Sequence, residues 1–323
     1  MASTVGLRRS THRGLARLSL AILAAAFTGE LVWGQATGKG PPKPRDVVLQ
    51  TADGVELAAV YYAQGTDKGK ETIPVILLHE FGGSGADYKG LAEFLQGKGF
   101  AVLVPDLRGH GGSTSTKSGR ELDHKKMPPK LFHGIYVQGG DIDVCKEFLR
   151  KENNQEKLNI DKLCLVGAGL GATAAMNWAV EDWKWPVVGG VKQGQDVKAI
   201  IMLSPSFNEK SVNVNIPLRN AAVLKELAIY ILAGESGKAP DDAKKIHKPI
   251  DVARGGTEGE EIKKQLLLQV FDGKGKLPKT NRQGTQLLQS SEKLQVPERI
   301  EAFINATVAK QNAPWKERKS PLE

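Results

Sequence analysis

Lys162-Leu163-Cys164-Leu165-Val166-Gly167-Ala168-Gly169-Leu170-Gly171-Ala172 is the stretch on which the reading of the whole chain turns. Its apolar run has the length of a strand buried on both faces. It tips into alternating glycines and then into Thr173-Ala174-Ala175-Met176-Asn177-Trp178, a helix-compatible segment. Strand, sharp turn and helix follow one another within seventeen residues. Glycines at 167 and 171 keep Cβ atoms out of a turn too tight to hold them. In the G-x-S-x-G form of this turn the central serine is lifted above the sheet as a nucleophile. The residue at that apex here is Gly169, which has no side chain with which to attack a carbonyl.

Working outward, the same alternation repeats. Val47–Gln50 and Glu56–Tyr62, joined through Ala52-Asp53-Gly54, predict a hairpin. Val75–Leu78 and Phe100–Val104 predict buried strands, with a helix at Tyr88–Gln96 between them and another from about Gly139 to Arg150 after a polar, glycine-rich loop over Arg108–Met127. Beyond the elbow come strands at Val197–Leu203, Ala228–Ala233 and Gln265–Val270, and helices at Asp241–Ile246, Gly284–Leu294 and Pro297–Lys310. Short apolar strands separated by helices imply an α/β fold, a mostly parallel sheet of about eight strands covered by helices on both faces.

Four landmarks in order give a resemblance to the α/β-hydrolase superfamily over nearly the whole mature chain. Leu77-Leu78-His79-Glu80-Phe81-Gly82-Gly83 is similar to the family's His-Gly oxyanion loop, and its His-Glu pair resembles the dienelactone hydrolase branch. Val104-Pro105-Asp106-Leu107-Arg108-Gly109-His110-Gly111-Gly112-Ser113 is similar to the run that follows the next strand. The elbow and the order of elements after it complete the match. The resemblance implies a three-layer α/β-hydrolase fold and a triad of nucleophile, acid and histidine in that chain order. At those places stand Gly169, Gly237 in Ala233-Gly234-Glu235-Ser236-Gly237, and Gln283 in Gln283-Gly284-Thr285. Glutamine hydrogen-bonds but does not shuttle a proton near neutral pH. Glu235, two residues from the acid position, is a weaker candidate acid.

What survives such losses is backbone. The N–H of Leu170 and one from Phe81 or Gly82 are expected to form an oxyanion-type pocket able to hold a carbonyl or carboxylate. His79 is read as shaping that loop and, with Phe81, Gly82, Gly169 and Leu170, as a candidate ligand contact; Glu80 is read as either a paired carboxylate or a surviving general base. Trp178, Trp183 and Trp185 are weighed as a binding platform against core packing, and packing is favoured.

The N-terminus carries Arg8, Arg9, Arg13 and Arg17, an apolar run from Leu18 to Phe27 and the triplet Gly34-Gln35-Ala36, the layout of a secretory signal over residues 1–36. Its removal takes away four arginines and one glutamate and leaves 287 residues with a formal charge of +6, down from +9. The basic residues are spread among acids without an aromatic-interleaved stripe, which argues against nucleic acid as a partner. An exposed leader is expected at 37–45, one domain over 46–312 and a flexible tail over 313–323. Cys145 and Cys164, the only cysteines, are read as buried thiols, with a single bridge as the alternative. No cofactor, no metal and no membrane-spanning segment after signal cleavage are expected. Together these features predict a secreted or periplasmic protein on a hydrolase scaffold, catalytically inactive, that binds a small carbonyl or acyl compound or a protein partner. The alternative is an unconventional esterase or lactonase in which Glu80 activates water. A third reading is a structural, envelope-associated partner with a closed pocket.

Overall fold

Strands that are apolar at every position can sit only in the middle of a covered sheet, and that is where they lie. The computed structural model describes residues 40–65, 68–255, 265–289 and 293–319. Its main strands are β1 (Arg45–Gln50), β2 (Val55–Tyr62), β3 (Pro74–Leu78), β4 (Ala101–Pro105), the short β5 (Ser115–Thr116) and β6 (Leu163–Ala168). The minor hairpin strands β7 (Val187–Val188) and β8 (Val191–Lys192) follow, then β9 (Val197–Leu203), a second small hairpin of β10 (Asn208–Glu209) and β11 (Val212–Asn213), β12 (Ala228–Gly234) and β13 (Leu266–Phe271). The large sheet has the order β1-β2-β4-β3-β6-β9-β12-β13, with β5 paired to β2. From β4 to β13 every pairing is parallel, and β1 and β2 are antiparallel additions at one edge.

Successive side chains of a strand point to opposite faces, so each central strand feeds two cores. Ile76 and Leu78 join Ile142, Cys145 and Leu149 of α2 (Asp141–Asn154), Trp178 of α3 (Gly169–Trp183) and Ile246 of α4 (Ala239–Ala253). Val75 and Leu77 join Leu91 and Leu95 of α1 (Lys89–Gly97) and Ile300 and Ile304 of α5 (Val296–Thr307). The result is three layers, helix, sheet and helix. Cys145 and Cys164 belong to the cores on opposite faces, so both are free, buried thiols and the bridge is ruled out.

Three local expectations change. Of the helix expected over Gly284–Leu294, the described residues show one short 3-10 turn at Gly284–Leu287, where Gln283 and Thr285 spend their polar groups on residues across the sheet end; residues 290–292 lie outside the described residues. The helix near Asp241 runs on to Ala253 through Pro249, since Ala243, Ile246 and Ile250 keep one buried face through the proline. Residues 313–319 do not fray. Arg318 is only 3% exposed, its guanidinium paired with Asp161 and Asp196, and the carbonyls of Ala313, Lys316 and Arg318 accept from Asn159, Asn153 and Asn154. Of the leader, Arg45 already belongs to β1 and the Pro42 carbonyl accepts from Gln96 Nε2 at 2.8 Å. The expected signal at 1–36, residues 37–39 and residues 320–323 lie outside the described residues.

Candidate active site

The elbow is built as its glycines require. Ala168 ends β6 in extended backbone, and Gly169 opens α3 at φ +46°. A Cβ on Gly167 would meet the backbone of Ala172, and one on Gly171 the carbonyls of Leu78 and His79, so neither position tolerates a side chain. A Cβ on Gly169 would lie 3.0 Å from Glu80 Cβ and 3.6 Å from Glu209 Oε2. Two acidic side chains therefore crowd the place where a nucleophile would stand.

Gln283 occupies the place of the family's histidine and acts as a tie. Its Oε1 accepts from Ser204 Oγ at the end of β9 and from the Gly234 N–H, at 3.1 Å, at the end of β12. Its Nε2 donates to the Ser236 carbonyl at 2.8 Å. Ser204 holds φ +47°, a costly conformation for a residue with a Cβ. Gly237, at the acid position, adopts φ +67° with open space where a Cβ would point. Glu235 turns to Lys279 at 3.0 Å instead of toward Gln283. The positions of histidine and acid converge on the strand ends, where Gln283 carries an amide and Gly237 no side chain.

Glu80 lies across the site. Its carboxylate accepts from the Thr285 N–H at 3.1 Å and the Thr285 hydroxyl at 2.8 Å, and fills the space beside Gly284. Burial pushes its carboxyl above the usual range, against the opposing pull of the Thr285 hydrogen bonds. His79 is fully buried. The Leu107 N–H donates to its Nε2 at 2.9 Å, so the ring proton sits on Nδ1 and bonds the Glu80 carbonyl at 2.8 Å. Burial lowers its pKa, and both ring nitrogens are spent on backbone, which makes it a structural histidine.

The expected oxyanion donors fare unequally. The Gly82 N–H donates to His110 Nε2 at 3.1 Å and is no longer available to a ligand. Leu170 is the second residue of α3, where N–H groups have no intrahelical partner. The Phe81 ring packs edge-on to His110, His124 and Phe132. His110 donates from Nδ1 to the Arg108 carbonyl at 3.0 Å and stacks on His124 with ring centroids 4.1 Å apart. Burial, with His79 beside it, pushes its pKa down to about 4, so it stays neutral.

Several site residues escaped sequence reasoning. The β10–β11 hairpin brings Glu209 to the elbow, where its carboxylate accepts from Ser206 Oγ at 3.0 Å. Thr173, in the first turns of α3, donates its hydroxyl to the Ser206 carbonyl. The tryptophans form no platform. Trp178 is core, and Trp183 donates to the Val197 carbonyl at 3.0 Å. A groove of about 1010 Å³, lined among others by Val144, Glu147, Arg150, Trp185 and Arg318, lies away from the elbow. Among the described residues no group of three or more His, Cys, Asp or Glu side chains is placed to hold a metal ion, and no helix is long and apolar enough to cross a membrane.

With this geometry in place, the relatives agree. Residues 73–237 match the family described as alpha/beta hydrolase fold. The chain belongs to that family. Esterases share the fold. One from Pyrococcus furiosus superposes with a TM-score of 0.53 at 17% identity, over 82% of this chain and 93% of that one. A structure from an analysis of two fungal esterases of Rhizomucor miehei gives 0.54 at 14% identity, over 84% and 87%. An uncharacterised protein of Mycobacterium tuberculosis is 27% identical over 140 residues, 43% of this chain, which spans less than half (42%) of that relative's length.

Proposed function

We propose that this protein uses the hydrolase scaffold to bind rather than to cleave, its ligand a small carbonyl or acyl compound or a segment of a protein partner, and that residues 1–36 direct its export. The observation that carries this reading is the pairing of Gly169 at the elbow apex with Gln283 in the histidine's place, its amide spent on Ser204, Gly234 and Ser236. Covalent acyl transfer needs a nucleophile and a base to deprotonate it, and neither side chain is there. The Leu170 amide at the head of α3 supports capture of an acceptor oxygen.

One observation favours a second reading. Glu80 is a buried carboxylate with a raised pKa next to the elbow, the environment that tunes a general base. Its oxygens, however, are engaged by Thr285. Purified residues 37–323 assayed on short acyl esters and lactones, beside Glu80→Gln, decide between the two. Rates at blank for both are expected. Turnover that vanishes in Glu80→Gln overturns the binding reading and makes Glu80 the base.

A further inference from the structure

The hairpin over the elbow is fixed at its base and lightly held at its tip. At the base, Val214 is fully buried, Asn177 Nδ2 donates to the Asn213 carbonyl at 2.9 Å, and the Phe207 N–H donates to Asp242 at 3.1 Å; beside the turn, Val212, the cross-strand partner of Glu209, is buried too. Each strand is two residues long. The tip is Lys210-Ser211, with φ +51° and +67°. Positive φ at both turn positions suits Asn-Gly or Gly-Gly, and side chains there are strained. Two contacts hold this strained tip down. Lys210 Nζ sits 4.0 Å from the centre of the Phe81 ring, and His133 Nε2 bonds the Ser211 carbonyl at 3.1 Å.

The residue directly before the tip is Glu209, whose Oε2 stands 3.6 Å from where a Cβ on Gly169 would be. Glu209 joins the tip directly, and the Ser206 hydroxyl at 3.0 Å is a further hold on its carboxylate, so release of the tip frees Glu209 to swing off the elbow about the fixed Val212 strand. Phe81, the platform for Lys210, belongs to the loop that carries Glu80 and Gly82. The latch thus closes the space between the oxyanion-type loop and the head of α3.

We propose that the 207–213 hairpin is a lid that shuts the elbow with the chain's own Glu209, latched by Lys210 on Phe81 and by His133 on the Ser211 carbonyl. This rests on the binding reading only in taking the elbow as the ligand's place. Access can be measured without knowing the ligand. Gly169→Cys places a thiol at the apex, and iodoacetamide is the probe; Cys145 and Cys164, fully buried on opposite faces, give no background. Labelling is expected to be slow in Gly169→Cys alone and roughly tenfold faster once Lys210→Ala and His133→Ala are added, the loss of one cation–π contact and one hydrogen bond. Equal rates overturn the lid.

Should Gly169→Cys fail to fold against Glu80, hydrogen exchange on the chain with Gly169 retained answers the same question. Lys210→Ala/His133→Ala should speed exchange of the 208–213 and Leu170 amides about tenfold while α5 stays unchanged. Unchanged exchange at 208–213 and Leu170 overturns the proposal. Ester turnover by the native chain would overturn the binding reading and leave either access result standing.

Discussion

The two ends of the parallel strands carry buried polar clusters of opposite character. Past the C-terminal ends of β6, β9 and β12, Gln283, Ser204, Gly234, Glu80 and Thr285 are joined mostly by neutral hydrogen bonds around Gly169. Before the N-terminal ends of β6 and β9, Asp161 and Asp196 form a charged network with Lys146, Lys192 and Arg318, which Asp182 joins through Lys146. At the first end, which holds the elbow, hydrogen bonds from Gln283 brace the ends of β9 and β12. At the second end the charges hold the chain's C-terminal segment through Arg318. Each end should fail in its own way when cut.

The largest effect belongs to the charged end. Arg318→Ala leaves Asp161 and Asp196 buried with less compensation, and breaking a buried ion pair from one side costs about 3–5 kcal/mol. Burial alone would raise the Asp196 carboxyl, but Lys146, Arg318 and Lys192 outweigh it and hold it well below the usual range. Urea denaturation at pH 7 should show the loss. A change under about 1 kcal/mol, the worth of an exposed pair, would show that the network holds nothing and erase the contrast.

Acid should act next, and at the elbow end. His110 has a pKa of about 4 in the fold against an ordinary 6.5, and burial lowers His79 as well. The unfolded chain therefore takes up protons before the folded one. Stability is full above about pH 6.5 and falls as pH drops toward 4, by on the order of 3 kcal/mol for His110 alone. Denaturation midpoints measured from pH 7 to pH 4 should trace this slope, and His110→Gln should flatten it. A slope that appears only below pH 4 would place the sensitivity at the aspartates of the other end.

Gln283→Ala comes third. It removes the acceptor for Ser204 and Gly234 and the donor to Ser236, and groups left unpaired in a buried setting cost about 1–3 kcal/mol. A thermal melt should show this loss, while ester turnover stays at blank, since an amide does not shuttle a proton near neutral pH. A stability change near zero would mean that water replaces the amide and that the site is open.

How much of this was readable from the sequence follows the range of each interaction. The elbow glycines, the strand runs and the alternation are local patterns, and they placed the sheet, both helix layers and Gly169, while Gln283 was reached through the resemblance to the family. Arg318 reads as part of a polar tail because its partners Asp161 and Asp196 are 157 and 122 residues away in the chain. The Glu80–Thr285 bond spans 205 residues. Glu209 was missed for a different reason. The turn that aims it is made of Lys210 and Ser211 at positive φ, and a sequence reader looks there for glycine or asparagine.

The smallest expected effect is also the one whose sign is least obvious. Glu80→Gln keeps the shape of the side chain and one oxygen for Thr285, while it removes a charge that burial disfavours. Because the Glu80 carboxyl is raised in the fold, desolvation outweighs what Thr285 returns to the ionised form. The folded chain binds the Glu80 proton more tightly than the unfolded chain does. Glu80 therefore supports the fold most at low pH, below its unfolded value, and loses that support as pH rises through its folded value. At pH 7 and above, the substituted chain should melt slightly higher, by less than about 1 kcal/mol, since one of the Thr285 contacts is weakened in exchange. A loss of more than that would show the carboxylate to be a bound anion that the elbow end needs, and the two ends of the sheet would then share one logic, charge held by its partners.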